Sequence, residues 1–574
     1  VDFLSANKKD VVHLLETIAI FLELKGENSF KVSAFRKAAK AIETDDHSLS
    51  EINDFTAISG IGKSTAAVIE EYLIEGKSSL LKELQDEVPK GLILLLQLPG
   101  LGGKKISRLY QELGIENVEG LKQACLSGKV KALSGFGEKT EKKILASIQN
   151  TGARPDRLPL AFVLPIAKKI EEHLKGIEYI EKYSRAGSLR RMRETVKDLD
   201  FIIATKEPSF VKEELLKLER IKEVVAAGDT KVSVVFSFDY EVPVDFRLVS
   251  PVEFTTTLHH FTGSKEHNVK MRQLAKERGE KINEYGVEQT ESGEILTFQS
   301  EDAFFHHYGL PYIPPELRED GSEIERFTSD YDLISLEDIK GDLHMHSTWS
   351  DGAHTIQEMV EECRRRGYQY LAITDHSQYL KVANGLTPER LRKQKEEIKK
   401  LNELYDDITI LAGVEMDILP DGTLDYEDLF LEEMDIVIAS IHSAFSQPKK
   451  KIMERLKTAL LNANVDIIAH PTGRLIGRRE GYEVDIDMLI KLAKETNTAL
   501  ELNANPNRLD LASEHLSKAQ DAGVKIVINT DAHMLDTLDH MAIGVSTAKK
   551  GWIKKSTVIN AFEVEELLTF LHKR

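Results

Sequence analysis

The sequence predicts a multidomain protein with α-helical N-terminal domains, an α+β middle and a C-terminal α/β barrel. Three observations predict it. The 574 residues exceed what one core can hold, and at roughly 100–200 residues per domain they suggest about three to five units. A Gly-apolar-Gly turn followed by an amphipathic helix occurs three times before residue 150. From residue 339 onward, short β-branched runs alternate with amphipathic helical stretches.

Composition narrows the class. Hydrophobic residues make up 41% and charged residues 30%, the balance of soluble globular domains rather than of disorder or membrane spans. The most apolar run, GLILLLQLPG at 91–100, is too short to cross a bilayer, so no membrane association is expected. The opening VDFLSANKKDVVHLLETIAIFLEL reads as an amphipathic helix rather than a secretory signal. Cys125 and Cys363 form neither a disulfide framework nor a CxxC site, which fits a reducing, cytoplasmic compartment. The net charge of −19 argues against bulk attraction to nucleic acid. Any such binding must be local.

The repeats supply a local device. ISGIGKSTAAVIEEYL (58–73), LPGLGGKKISRLYQEL (98–113) and LSGFGEKTEKKILASI (133–148) share one pattern, with Gly60 and Gly62, Gly100 and Gly102, and Gly135 and Gly137 in equivalent places. A lysine follows each pair within two positions. Glycine permits positive φ and close approach of another backbone, and the N–H groups at a helix start attract anions. A phosphate diester suits such a site, and the pattern resembles the helix-hairpin-helix motif of DNA repair proteins. One copy alone reads equally well as a helix cap. Three copies with lysines favour DNA. Upstream, KVSAFRKAAKAIE carries Lys31, Arg36, Lys37 and Lys40 at helical intervals, a solvated face by default or a grip on a terminal phosphate beside the first hairpin.

RPDRLPL at 154–160 reads as a linker into the α+β region. In YSRAGSLRRMRETVKDLDFIIAT, Asp198 and Asp200 stand two apart, so on a strand they share one face, and Asp245 in YEVPVDFRLV offers a third carboxylate. Such a trio can hold two hard cations roughly 3.5–4 Å apart, which fits magnesium or manganese. Gly187, Ser188 and Arg191 just upstream can neutralise phosphate oxygens.

Through SAFRKAAKAI, AGSLRR, DLD and HFTGSKEHNVKMR, residues 1 to about 318 resemble the family X DNA polymerases, gap-filling repair enzymes similar to DNA polymerase beta. The resemblance implies that Asp198, Asp200 and Asp245 bind two catalytic cations. It places Gly187, Ser188 and Arg191 on the triphosphate, with His260, Phe261, Gly263 and Ser264 near the incoming nucleotide and Asn268 and Arg272 facing the nascent pair and template. Lys31, Lys37 and the six hairpin glycines would contact DNA. Two departures matter. His260-Phe261 replaces the usual Tyr-Phe, which bears on ribonucleotide discrimination. Val68 stands where lyase-active relatives keep a Schiff-base lysine, so no imine-forming lyase is expected. Phe35 replaces a usual tyrosine.

The Pro-rich acidic segment PYIPPELREDGSEIERF (311–327) reads as a connector. Beyond it, LHMHSTWSDGAH opens a series of candidate ligands at strand ends: His344, His346, Asp351, His376, Glu415, His442, His470, Asp531 and His533. In parallel α/β barrels the active site lies at the C-terminal ends of the strands. Gathering nine imidazoles and carboxylates without a cation would be costly, and their mixture suits zinc, manganese or iron. HxH, TDH, the Glu of GVE, IHS, AHP and TDAH resemble the polymerase and histidinol phosphatase (PHP) superfamily, which implies a trinuclear centre that hydrolyses phosphate esters. Arg474 and Arg508 read either as phosphate ligands or as barrel-top salt-bridge residues.

The expected organisation is therefore a helical DNA-end-binding domain (1–85), a fingers-like domain with two hairpins (86–152), a nucleotidyltransferase palm (153–255), a thumb (256–318), a linker (319–338) and a distorted, TIM-like PHP barrel (339–574). The expected function is gap-filling synthesis from dNTPs on gapped or nicked double-stranded DNA with a 5′-phosphate. A PHP 3′-5′ exonuclease or abasic-site endonuclease accompanies it, in a bacterial, nucleoid-associated monomer without organic cofactor. One alternative gives the barrel a small-molecule phosphatase role, and another makes the chain a non-catalytic DNA-end scaffold.

Overall fold

The computed structural model describes residues 7–98, 100–150 and 155–571. The chain divides into two units: residues 1–153 with 346–356 and 375–397, and the remainder.

The first unit is helical. Helix α1 (Lys8–Lys25) opens on a capping box in which Asn7 and Asp10 each accept the other's backbone N–H, and Gly26 ends it at φ 80°. Leu15, Ile18 and Leu22 of α1 pack with Phe35, Ala38 and Ile42 of α2 (Ser29–Thr44) and Ile69 and Leu73 of α3 (Lys63–Glu75). The same core continues through Ile106 and Leu109 of α4 (Gly103–Leu113) to Ile144 and Ile148 of α5 (Gly137–Asn150). The boundary expected at 85/86 falls inside the helix Ser79–Glu87 and within this shared core. Residues 375–397 join the unit through an ion pair of Lys381 with Asp46 at 2.7 Å and through Val382, which packs on the helical core.

The second unit contains two sheets that matter for the site. Strands β1 (Ile180–Ala186), β2 (Leu199–Thr205), β3 (Ile221–Ala227), β4 (Lys231–Ser237) and β5 (Glu241–Val249) form a sheet in the order β1-β2-β5-β4-β3, parallel only between β2 and β5. Alternation fixes its register. Phe201 and Phe246 stack at 5.6 Å, fully buried, while the preceding residues Asp200 and Asp245 turn to the other face. A one-residue slip would expose both rings, at about 1.5–3 kcal/mol each, and drive both carboxylates into the core. The four-residue turn α6 (Gly187–Arg190) follows β1, and α7 (Phe254–Thr262) and α8 (Lys265–Glu277) follow β5. The boundary expected at 255/256 falls inside α7.

The segment read as a linker is packed rather than exposed at its start. Glu323 is fully buried and pairs with His267 at 2.7 Å, and Arg318 just before it is fully buried on Glu301 at 2.7 Å. The segment's Pro-rich, acidic composition suggested a connector because the partner of Glu323 lies 56 residues back in the sequence.

Strands β6 (Gly341–Asp342), β7 (Tyr370–Ile373), β8 (Thr409–Asp417), β9 (Ile436–Ser440), β10 (Ile467–Ile468), β11 (Ala499–Asn503) and β12 (Ile526–Asn529) pair in chain order, all parallel. A parallel bridge between Met345 and Ala532 joins the first strand's extension to the last, giving a nearly closed seven-stranded barrel. Its strands are apolar almost throughout, as parallel strands covered on both faces must be. Helix α9 (Met541–Lys550) packs on β11 and β12.

Candidate active sites

In the five-stranded sheet, strand register brings the predicted carboxylates together. Asp200 and Asp245 are direct neighbours on parallel strands, and Asp198 immediately precedes β2. Burial first, then the charges of Asp198 and Asp245, push the Asp200 carboxyl up to about 7. Three carboxylates gathered in this way form a donor set that fits divalent cations. Ser233 donates to Asp245 at 2.6 Å and Lys231 lies 3.4 Å from its other oxygen, two partners that the sequence did not reveal.

The predicted phosphate-binding turn abuts this set. Gly187 sits at φ 62°, and a Cβ there would lie 2.6 Å from Asp200 Oδ2. Ser188 is half-buried in the same turn. Arg191 donates to the Thr262 carbonyl at 2.5 Å, beside Gly263. Phe261 lies under the Arg247 guanidinium at 3.7 Å, and His260 is 3.8 Å from Glu284. Asn268 donates to the His260 carbonyl at 2.9 Å, and Ser264 donates to the Glu319 carbonyl at 2.5 Å. Arg272 is exposed one turn beyond Asn268.

In the barrel the predicted ligands follow or end their strands: His344 after β6, His376 after β7, Glu415 in β8, His442 after β9, His470 after β10, and Asp531 and His533 after β12. Within the second unit, His344 Nε2 faces Glu415 at 3.1 Å and Asp531 at 3.2 Å, and His442 and His470 approach the other Glu415 oxygen at 3.0 and 3.1 Å. His533 Nδ1 lies 3.9 Å from Asp531 Oδ1. Within the first unit, His346, Asp351 and His376 offer ligand atoms within 4.8 Å of one another, with the two rings stacked at 4.3 Å. Lys9 also donates to Asp351. His470 at φ 27° and Asp531 at φ 55° are among the non-glycine residues that hold left-handed backbones, which side chains seldom adopt, at about 1–3 kcal/mol each.

Strand β11 carries no predicted ligand, yet it supplies Glu501. That carboxylate accepts from His344 Nδ1 at 2.7 Å, the His470 N–H at 3.1 Å and Asn529 at 3.0 Å. Asp417 holds His442 Nδ1 in the same way. Burial opposes the charged ring, but the Asp417 and Glu415 carboxylates raise His442 to about 10. A carboxylate on the far nitrogen orients an imidazole toward a cation. These imidazole and carboxylate donors fit zinc, manganese or iron. Glu501 stands in the middle of β11 rather than beyond its end, so no strand-end motif marked it.

The hairpins keep their glycines exposed at helix starts. Gly62 and Gly102 cap α3 and α4, Gly137 opens α5, and Gly60, Gly100, Gly135 and Gly137 have positive φ. A Cβ at Gly60 would meet Ala41 Cβ at 3.4 Å and the Lys37 carbonyl at 3.5 Å, so the first hairpin lies beside α2. Lys31 pairs with Glu27 at 3.6 Å, Arg36 with Glu23 at 2.9 Å and Lys40 with Glu43 at 2.6 Å, exposed pairs of little energy. Val68 and Phe35 are buried in the helical core.

Arg474 is a salt-bridge residue. It reaches Glu194 at 2.6 Å and donates from Nε to the Arg508 carbonyl at 2.9 Å.

Comparison with known proteins gives matches along most of the chain. Family models match for a helix-hairpin-helix domain (6–78), a SAM-like helix-hairpin-helix tandem (92–150), the DNA polymerase beta thumb (257–319) and the PHP domain (342–505). The DNA polymerase/3′-5′ exonuclease PolX of Bacillus subtilis (strain 168) is 63% identical over 567 residues, covering 99% of this chain and all of that protein. A probable phosphatase of Thermoanaerobacter sp. (strain X514) is 30% identical over 247 residues, 41% of this chain and 94% of its own length.

Proposed function

Since the chain belongs to the family X DNA polymerases that carry a C-terminal PHP domain, we propose that it fills short gaps in double-stranded DNA and trims 3′ ends at a separate hydrolytic centre. The register that sets Asp200 beside Asp245, with Gly187 against Asp200, carries the polymerase half of this reading. Asp198, Asp200 and Asp245 would hold two magnesium or manganese ions, and such ions supply activation of a 3′-hydroxyl and neutralisation of phosphate charge. Gly187, Ser188 and Arg191 bind the triphosphate. Phe261 and Gly263 border the sugar, and Asn268 and Arg272 meet the nascent pair.

In the barrel we assign His344, His346, Asp351, His376, Glu415, His442, His470, Asp531 and His533 to one centre of three ions, zinc, manganese or iron. Glu501 and Asp417 fix the tautomers of His344 and His442. The hairpin amides with Lys63, Lys104 and Lys139 hold the DNA backbone without reading sequence. A 5′-phosphate on the downstream strand lies near Lys31 and Lys37.

The test uses a 5′-labelled primer across a short gap with manganese. Asp200→Ala should lose extension with dNTPs yet still shorten the primer without them, and His344→Ala should do the reverse. Normal extension by Asp200→Ala would remove that carboxylate from the catalytic set. A primer left untouched by Asp200→Ala would move the barrel to abasic-site or small-molecule hydrolysis.

A further inference from the structure

Two cations of the barrel half grip the segment that follows the triphosphate turn. Lys550, the last residue of α9 and only 13% exposed, donates to the Arg191 carbonyl at 3.0 Å and to Glu319 Oε1 at 2.8 Å. The same Glu319 oxygen takes Arg191 Nε at 3.3 Å, and its second oxygen takes Arg193 at 3.1 Å. Three residues beyond Arg191, Glu194 receives the paired guanidinium nitrogens of Arg474 at 2.6 and 3.3 Å. None of these contacts involves a predicted metal ligand. Their common object is the segment 191–194, held at the Arg191 carbonyl, the Arg191 and Arg193 guanidinium groups and the Glu194 carboxylate.

We infer that Lys550 is a positioning residue for nucleotide binding, a latch through which the PHP half holds Arg191 where it meets the incoming triphosphate. This role rests on the reading of Gly187, Ser188 and Arg191 as the triphosphate site. Three cations compete for one carboxylate. Glu319 neutralises Arg191 and would draw it away from an anionic ligand. Lys550 shares that carboxylate and pins the Arg191 carbonyl, so the guanidinium keeps its bond to Thr262 and stays available to phosphate oxygens. Without Lys550, Glu319 is left to Arg191 and Arg193 alone, and the turn loses a tether in a mostly buried position. Arg474 braces the far end of the same segment. A lysine more than 350 residues from Arg191 in sequence thereby sets the affinity of a site in another domain, with no part in hydrolysis.

The test is single-nucleotide gap filling by the full chain with Lys550→Met, Lys550→Arg and Arg191→Ala, alongside primer hydrolysis without dNTPs. Lys550→Met should raise the dNTP KM about tenfold or more with kcat within about twofold, the loss expected for one charged hydrogen bond. Lys550→Arg should restore most of the affinity, and hydrolysis should be unchanged in both. An unchanged KM in Lys550→Met, with KM raised in Arg191→Ala, would overturn the latch alone. An unchanged KM in Arg191→Ala would overturn the triphosphate reading beneath it. Joint loss of extension and hydrolysis in Lys550→Met, or no rescue by arginine, would reduce Lys550 to packing and overturn the inference.

Discussion

Gly187→Ala tests the polymerase site through its tightest contact. The new Cβ would stand 2.6 Å from Asp200 Oδ2, whereas ordinary contact begins at 3.4 Å, so the carboxylate must retreat by roughly 0.8 Å. Asp200 can do this by turning its side chain, because the clash is with its end and not with backbone. The fold therefore loses little: an alanine at φ 62° costs about 1–2 kcal/mol, a few degrees of melting temperature. Catalysis loses more, since about 1 Å of misplacement in a reacting constellation costs roughly 100-fold. The expected result is a kcat for single-nucleotide gap filling lowered about 100-fold, with primer hydrolysis intact. Extension within about threefold of the wild-type rate would refute the claim that this turn and this carboxylate form one site.

Two further perturbations are equally clean. Gly102 has ordinary φ and a Cβ added there would meet nothing within 4 Å, so Gly102→Val should leave the helical unit folded yet weaken gapped-DNA binding several-fold in a titration at fixed salt; an unchanged Kd would make that hairpin a packing element. Glu301 is the pH reporter. Burial opposes its ionisation, but Arg318 and Arg190 outweigh it and hold the carboxyl at about 2, below the ordinary 4.5. A depressed pKa contributes stability that is full above the unfolded value and is lost as pH falls toward 2. Its size is on the order of 3 kcal/mol. Glu301→Gln should flatten the fall in melting temperature between pH 4.5 and 2, and an identical slope would count against the ion-pair network.

What the sequence made legible was local. The Gly-x-Gly hairpins repeat within short windows and declare both turn and helix, and the HxH and TDAH motifs mark strand ends by themselves. Asp198 and Asp200 were readable as a pair because strand period 2 needs no distant partner. The strand-like run around Asp245 marked it as a candidate third carboxylate, but that it lies opposite Asp200 depends on register between strands far apart in the chain. Glu501 and Asp417 escaped because a carboxylate that orients a ligand looks like any acidic residue on a strand. Glu319 and Lys550 escaped for a stronger reason. Their meaning is a shared contact across 231 residues, and the surrounding composition pointed to a linker.

The pairing of Asp200 with Asp245 has a bearing on how the enzyme fails. These two side chains are spaced by interstrand hydrogen bonds, with Phe201 and Phe246 locked beneath them, so no loop motion can part them. Loss of their geometry requires the central strands to separate, which is the melting of the sheet itself. Asp198 lies outside β2 and lacks that protection. On heating, inactivation governed by the central pair would be as abrupt as unfolding, and any gentler decline below that temperature would originate at the strand's leading edge.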